Sequence, residues 1–160
     1  MKPGVFLTAQ WRMLAFLNYE IATEVLTPLV PRGTELDDWQ GKTLVSLVGF
    51  QFLDTRLAGW AIPFHRNFEE VNLRFYVRRK GPDGWRRGVV FVKELVPRMA
   101  IGWVARWFYN ENYQSVPMRH EIRRSAPEAP PAVAYSWRHG GRWQGLSAEA
   151  VGVAEFPVAG

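Results

Sequence analysis

A row of polar side chains lies on one face of a predicted strand in the middle of the chain. From residue 70 to residue 78, apolar and polar residues alternate, and the polar positions are Glu70, Asn72, Arg74, Tyr76 and Arg78. Successive strand residues point to opposite faces of a sheet, so these five side chains share a face. A carboxylate, an amide and a guanidinium on one face either line a pocket or face water. The alternation leaves both interpretations open.

Two other side chains could take part in chemistry. His65 lies in a predicted loop just before the polar row, and histidine is the natural acid-base group near neutral pH. The alternative for His65 is an ordinary surface histidine. Lys93 is the only lysine in the apolar run RRGVVFVKELV, where a buried amine could become nucleophilic. The alternative for Lys93 is an ion-paired or solvent-reaching side chain.

The pattern of apolar residues predicts antiparallel strands joined by tight turns. Turn signals occur at Gly41, in the segment KGPDGW and at Gly140–Gly141, and short helices are predicted within residues 22–33 and 97–110. The run RRGVVFVKELV predicts a strand buried on both faces. We therefore predict one α+β domain over residues 1–160, mainly β, built as an antiparallel cone-like barrel or curled sheet with two short packed helices.

The composition narrows the classes of function. The chain has 160 residues, 48% of them hydrophobic, no Cys and three scattered His residues, so we expect a globular protein without disulfides, metal ligands or a cysteine nucleophile. No phosphate-binding or dinucleotide-binding motif is present, and we predict no cofactor. Without a signal peptide or an apolar run of about 20 residues, the expected location is cytoplasmic, with no membrane association.

The charge is distributed unevenly between the two parts of the chain. Residues 1–60 carry 5 basic and 6 acidic side chains, whereas residues 61–160 carry 15 and 9, a net charge of +6. A basic half can attract nucleic acid. However, 16 of the 20 basic residues are Arg, which together with abundant Ala, Gly and Pro is typical of a GC-rich genome, and no recognition motif appears. Nucleic-acid binding is therefore the least favoured of the alternatives.

Five segments in one order resemble a known family. These are FLTAQWRMLAFLNYEI, LTPLVPRGTELDDWQGKTLVSLVGFQFLDTR, IPFHRNFEEVNLRFYVRR, RRGVVFVKELVPRMAI and ARWFYNENYQSVPMRH. They resemble the uncharacterised bacterial family called domain of unknown function 2071, a branch of the acetoacetate-decarboxylase-like superfamily. The resemblance implies a cone-like β-barrel with outer helices and an internal cavity. Members of that family extend further at the C-terminus, so the resemblance implies either a truncated chain or a shortened variant, and in the first case a barrel that lacks strands at that end.

The resemblance includes a departure that bears on activity. Acetoacetate decarboxylases form a Schiff base through a lysine in a GFPKK segment after a helix. The similar segment here is ARWFYNENYQSV, in which Arg106 and Tyr109 fit the pattern, while the two lysine positions fall at Tyr113 and Gln114. A Schiff base needs a primary amine, which neither side chain has. The resemblance therefore implies that acetoacetate is not decarboxylated by the usual route.

A second part of the resemblance gives roles to the polar row. Decarboxylase-like proteins carry a cavity carboxylate in an E-x-N setting, which Glu70 and Asn72 match. The implied roles are an acid-base group or hydrogen-bond acceptor for Glu70, an orienting group for Asn72, and an anion clamp for Arg74 or Arg106. Tyr113 would donate a hydrogen bond into the cavity or simply fill it. Arg106 could instead stack on neighbouring aromatic rings.

Two classes of function follow from these observations. The leading hypothesis is a barrel that binds a small carboxylate or oxo-acid and either performs chemistry without a lysine or senses the ligand. The alternative is a non-catalytic structural or protein-interaction barrel, which the 8 Trp residues suggest. A homo-oligomer would be the expected state of that second class.

Overall fold

A computed structural model of the chain describes residues 7–57, 60–61, 66–97, 113–124 and 131–151. The elements in chain order are β1 (Leu7–Glu20), α1 (Thr23–Leu26) with a 3-10 turn (Thr27–Leu29), β2 (Glu35–Leu36), β3 (Asp38–Trp39), β4 (Lys42–Leu57), β5 (Trp60–Ala61), β6 (Phe68–Gly81), β7 (Gly84–Val96), β8 (Tyr113–Ser115), β9 (Met118–Arg123), β10 (Ala132–His139) and β11 (Arg142–Glu149). Within the described ranges, none of the helical segments is long and apolar enough to cross a membrane.

The main sheet is built on three long strands in its centre. Its strand order is β1-β4-β6-β7-β8, and the short strands β2, β3 and β5 pair with β6 or β4 at the margins. All pairs are antiparallel except β7 with β8, which is parallel. β6 therefore lies between two long neighbours, and its backbone hydrogen bonds are used on both sides.

A bulge in β1 changes which of its residues face the core. Trp11 pairs with Phe52, whereas Ala15 pairs with Gly49, so β1 carries one more residue than β4 in this interval. Met13 lies in the bulge with a φ angle of 54°. Strict alternation along β1 would place Trp11 and Ala15 on one face, but Trp11 is 53% exposed and Ala15 is 2% exposed. The extra residue reverses the alternation, because side chains alternate with a period of two.

The second sheet, with strand order β11-β10-β9, covers one face of the main sheet. The contact forms the largest apolar core, whose buried members are Ala15, Val71, Leu95, Val116, Val133, Tyr135 and Leu146. The Tyr135 ring lies on Gly49 of β4, and its hydroxyl donates a 2.6 Å hydrogen bond to the carbonyl oxygen of Met13 in the β1 bulge. We call this side of the main sheet the apolar face.

The other end of the apolar face is covered by α1. Leu26 packs there against Phe75 and Val77 of β6. The second predicted helix, within residues 97–110, lies almost entirely outside the described residues. Among the described strands the sheets do not close into a barrel, so the curled-sheet form of the prediction fits and the closed barrel does not.

The three predicted turns are confirmed, and one burial prediction is wrong. Gly41 and Gly140–Gly141 join two-residue hairpins with positive φ angles. The turn in KGPDGW joins β6 to β7.

In contrast, the predicted burial of β7 on both faces is wrong over much of its length. The strand is exposed from Gly84 to Val89 and is fully buried only from Glu94 onward. Its apolar run is therefore buried on both faces only where β8 and the second sheet cover it.

We expect Gly49→Ala to destabilise the protein by about 1–3 kcal/mol. The added methyl group would lie 2.5 Å from Cδ2 of Tyr135 and 3.2 Å from Cδ2 of Leu146, both in buried side chains. Gly88→Ala is the matched control, because its methyl group would meet only Val77 Cγ2, at 3.9 Å. Urea unfolding measures the free energy of unfolding of both variants and of the wild type. Equal stability of the two would contradict the close approach of the sheets.

We expect the stability of the protein to fall in alkali through Tyr135. Burial, aided by the Glu69 carboxylate, raises the pKa of the Tyr135 phenol from 10.0 to about 12. The unfolded chain then ionises first, so the stabilising difference is complete below pH ~10 and is lost as pH rises through about 12. The loss amounts to roughly 2–3 kcal/mol.

The measurement compares urea unfolding of the wild type with Tyr135→Phe between about pH 9 and pH 12. Tyr135→Phe should flatten the decline, whereas Tyr19→Phe should not, because Tyr19 is 53% exposed. The same decline in all three proteins would show that the Tyr135 phenol is not the group responsible.

Candidate functional site

The opposite side of the main sheet carries the polar row, and we call it the polar face. Residues of β6 with even numbers point to this side, and the strand pairings bring partners from β4, β7 and β8 beside them. The polar members of the face in its central part are Ser46, Glu70, Asn72, Arg74, Glu94 and Tyr113.

Two carboxylates and an amide lie together at the centre of the polar face. Asn72 is 1% exposed, and its Nδ2 donates a 3.0 Å hydrogen bond to Oε1 of Glu70, which is 3% exposed. Glu94, 2% exposed, lies directly across from Asn72 on β7. The orientation of the Asn72 amide is fixed, because only its nitrogen can donate to a carboxylate. Its Oδ1 is left without a hydrogen-bond partner among the described residues.

A cation and a phenol flank these three side chains. Arg74 follows Asn72 on the same face of β6, and its guanidinium stacks 5.1 Å from the centre of the Phe16 ring. Arg74 Nε is buried and has no hydrogen-bond partner within the described part of the chain. Tyr113 is half-buried on β8 beside Glu94. The site thus offers a cation, two carboxylates and two neutral polar groups on one surface.

An aromatic wall closes one end of the site. Phe50 lies opposite Glu70 in the pairing of β4 with β6. Its ring is 4.9 Å from Trp11 and 5.0 Å from Phe52, and Phe52 in turn lies 4.8 Å from Phe68. Apolar rings next to the carboxylates exclude water from that side, which strengthens every electrostatic interaction at the site.

The structure brings together four of the residues predicted for the site, namely Glu70, Asn72, Arg74 and Tyr113. Lys93 is not among them. It pairs with Leu73, points to the apolar face, is exposed, and lines a cavity of about 230 Å³ there with Trp137 and His139. A buried nucleophilic amine at Lys93 is therefore contradicted. His65 and Arg106 lie outside the described residues.

Glu94 belongs to the site but was missed in the sequence. Lys93 and Glu94 are adjacent, so one must face each side of the sheet. A bulge at Val92 decides which, because Lys93 pairs with Leu73 while Phe91 already pairs with Arg74. The signal in the sequence was a carboxylate within an apolar run, but periodicity alone could not assign its side.

A metal site finds no support in the part of the chain that the structure describes. No group of three or more His, Cys, Asp or Glu side chains in the described ranges could hold a metal ion. The contact of Glu69 Oε2 with His120 Nδ1, at 3.1 Å, lies between the sheets on the apolar face.

The chain matches one protein family and one curated relative. The profile of a family described as an uncharacterized conserved protein matches residues 8–158. The chain is 34% identical over 83 residues to the uncharacterized protein YqjF of Bacillus subtilis (strain 168), an alignment that covers 51% of this chain and 34% of that protein.

Among solved structures, the acetoacetate decarboxylase of Legionella pneumophila superposes with a TM-score of 0.62 at 13% identity, covering 88% of this chain and 48% of that one. The enduracididine biosynthesis enzyme MppR, in a structure with HEPES buffer bound, gives a TM-score of 0.66 at 12% identity, covering 98% and 59%. These similarities confirm the predicted acetoacetate-decarboxylase-like fold. The chain spans about a third of the curated relative and about half of these solved chains.

We expect Asn72→Asp to destabilise the protein by roughly 3 kcal/mol near neutral pH. The change replaces the donor to Glu70 with a third carboxyl group between Glu70 and Glu94. The folded state then favours the protonated form of the introduced carboxyl group, so the loss should shrink as the pH falls toward the ordinary carboxyl range.

Urea unfolding at about pH 5 and about pH 7.5 tests this expectation. Gln144→Glu is the control, because Gln144 is exposed on β11 and the change should stay within about 0.5 kcal/mol. A loss for Asn72→Asp that is the same at both pH values would contradict the carboxylate cluster.

Proposed function

Because the chain belongs to the family domain of unknown function 2071 and has an acetoacetate-decarboxylase-like fold, we propose that it binds a small carboxylate, such as an oxo-acid, on its polar face. The carrying observation is the pair of buried polar atoms without partners among the described residues, Asn72 Oδ1 and Arg74 Nε, beside two buried carboxylates. Both residues lie on β6 and point to the same side of the sheet.

The two atoms are complementary to a ligand of this class. Arg74 Nε is a donor with a permanent positive charge, which suits the carboxylate of such a ligand. Asn72 Oδ1 is an acceptor, which suits the hydroxyl group of a hydroxy acid or of the enol form of an oxo-acid. A buried polar atom without a partner costs about 1–3 kcal/mol, so such atoms are rare unless they have a use. Their neighbouring positions on β6 allow one small molecule to engage both.

The proteins of similar fold give the ligand class. Structures of MppR have been solved with pyruvate and with the condensation product of pyruvate and imidazole 4-carboxaldehyde. At 12–13% identity these describe the other protein and lend this chain only a ligand class to test. Pyruvate is a 2-oxo acid, and the cation at Arg74 matches its charge.

The chemistry we propose does not use a lysine. Glu70 accepts a proton or a hydrogen bond from the ligand, Asn72 holds Glu70 in place, and Arg74 clamps the carboxylate. The phenol of Tyr113 lies beside Glu94 and can donate a hydrogen bond to a ligand oxygen, but it is not an amine and cannot form a Schiff base. Proton transfer next to a carbonyl group is the reaction class open to this set.

We expect pyruvate or a related oxo-acid to raise the melting temperature of the wild type. A ligand at a hundred times its Kd stabilises by about 2.7 kcal/mol, which for a chain of this size is roughly 5 °C or more. Glu70→Gln removes the charge but keeps the shape and should reduce the shift, whereas Glu24→Gln, on the exposed surface of α1, should not.

Arg74→Lys sharpens the same test. Lysine keeps the charge but loses the planar fork, so the affinity should fall by about tenfold. Arg79→Lys on the same strand is the control, because Arg79 is exposed. If no small carboxylate shifts a well-folded wild type, or if all four variants respond alike, the polar face is not the binding site.

A further inference from the structure

A second concave surface lies on the polar face, toward the far end of β6. It consists of two adjoining cavities of about 440 and 490 Å³ that share Asn18, Trp39 and Leu44, and we call it the groove. The remaining lining residues are Glu20, Asp37, Asp38, Lys42, Tyr76, Arg87, Gly88 and Val89. Tyr76 follows Arg74 by two residues and Ser46 pairs with Arg74, so the groove begins about 7 Å along the strand from the cation of the carboxylate site.

The floor of the groove is a chain of neutral hydrogen-bonding groups. Ser46 is completely buried, its hydroxyl donates to Asn18 Oδ1 at 2.6 Å, and it lies 2.6 Å from the Tyr76 hydroxyl. Since the Ser46 proton is used toward Asn18, the Tyr76 hydroxyl donates to Ser46 and keeps acceptor capacity on its own oxygen. The Asn18 amide nitrogen adds donors. Such a floor suits ligand hydroxyl groups, which both donate and accept.

The rim of the groove is an aromatic ring held on a rigid turn. Trp39 ends β3 and is 60% exposed. The β3–β4 hairpin turns through Gln40 and Gly41, both at positive φ, and Asp38 Oδ1 accepts a 2.9 Å hydrogen bond from the Gly41 amide. The turn thus holds the backbone of Trp39 in place, and its indole offers a flat apolar surface against which a ring can stack.

The charges around the groove leave it close to neutral. Of its five charged lining residues, four are in ion pairs: Asp37 Oδ2 with Arg87 Nε at 3.1 Å, and Glu20 with Lys42 at 2.8 Å. Arg78 also approaches Asp37, at 3.9 Å. An ionic ligand would have to displace one of these partners, whereas a neutral ligand would not. The lining therefore selects against small ions.

A buried acceptor gives the groove an unfilled hydrogen-bonding position. The Asp37 side chain is 10% exposed, and its Oδ1 has no hydrogen-bond partner within the described residues. Its position is fixed, because the Asp37 amide donates a 3.0 Å hydrogen bond to the Tyr76 carbonyl oxygen. A ligand hydroxyl group that donates to this oxygen would satisfy it while Arg87 stays on Oδ2.

We infer that the groove binds a neutral sugar ring, stacked on Trp39 with its hydroxyl groups on Asn18 and Tyr76, which the buried Ser46 hydroxyl joins. A sugar ring has an apolar face of C–H groups for the indole and hydroxyl groups at its edge for the floor. Its uncharged state fits the paired charges of the lining. This second site does not depend on carboxylate binding near Glu70.

Fluorine NMR of protein labelled with 5-fluorotryptophan tests the inference. The chain has 8 Trp residues, and the Trp39 resonance is identified by its loss in Trp39→Ala. Methyl β-glucoside and cellobiose should shift that resonance with a Kd of about 1 mM or tighter. Glucuronate, which adds a charge, and cyclohexanol, which lacks the ring of hydroxyl groups, should shift it much less.

Variants separate the groove from general effects. Isothermal titration with cellobiose should show no binding to Trp39→Ala and roughly fivefold weaker binding to Tyr76→Phe. Trp60→Ala is the control, because Trp60 is 79% exposed on β5 and should bind as the wild type does. Trp39→Phe keeps a smaller ring and should retain part of the affinity, which guards against a folding defect in Trp39→Ala.

The outcomes distinguish this inference from the carboxylate site. Sugar binding that survives Glu70→Gln but not Trp39→Ala supports the groove. The inference would be overturned if neither neutral sugar moved the Trp39 resonance. It would also be overturned if glucuronate and cyclohexanol moved that resonance as much as the sugars do. Neither result changes the melting-temperature shift expected with oxo-acids, so each proposal is tested independently of the other.

Discussion

The central strand β6 is covered on both of its faces, and this constraint shapes the rest of the molecule. Glu69 and Val71 point toward the second sheet, while Glu70 and Asn72 point the other way, and all four are buried. A strand in this position usually consists of apolar residues. Here it carries charged groups on each side, so each face must supply partners for them. His120 does so for Glu69, and the Asn72 amide does so for Glu70.

The apolar face secures the position of β6 and so makes the polar face usable. Tyr135 fills the space above Gly49 and anchors its hydroxyl on the β1 bulge, which locks the second sheet onto β1 and β4. Binding sites require side chains held to within a fraction of an ångström, and a strand packed from behind provides this. The polar groups thus lie on a rigid support, and their geometry depends on contacts made on the opposite side of the sheet.

Local signals in the sequence were sufficient for the turns and for the grouping of the site. Glycines at positions 41, 140 and 141 marked hairpins because positive φ angles are a local requirement. Alternation alone placed Glu70, Asn72 and Arg74 on one face. The burial of that face could not be deduced, because it depends on strands and segments distant in sequence. The bulges at Met13 and Val92 were also hidden, since they arise from the pairing of two strands and leave no fixed pattern in either one.

The bulge at Val92 makes the chemistry of the site depend on a count of residues. It determines that Glu94 enters the buried layer while its neighbour Lys93 remains in solvent. If β7 paired regularly here, with Phe91 still opposite Arg74, Val92 would lie opposite Leu73 and Lys93 opposite Asn72. The strand would then present a cation where the anion now lies, without any change in the types of residue present. A relative with the same residues but a regularly paired β7 would therefore carry the opposite charge in this buried layer. An alignment of the two sequences would not reveal that change, because it lies in the pairing of the strands and not in their residues.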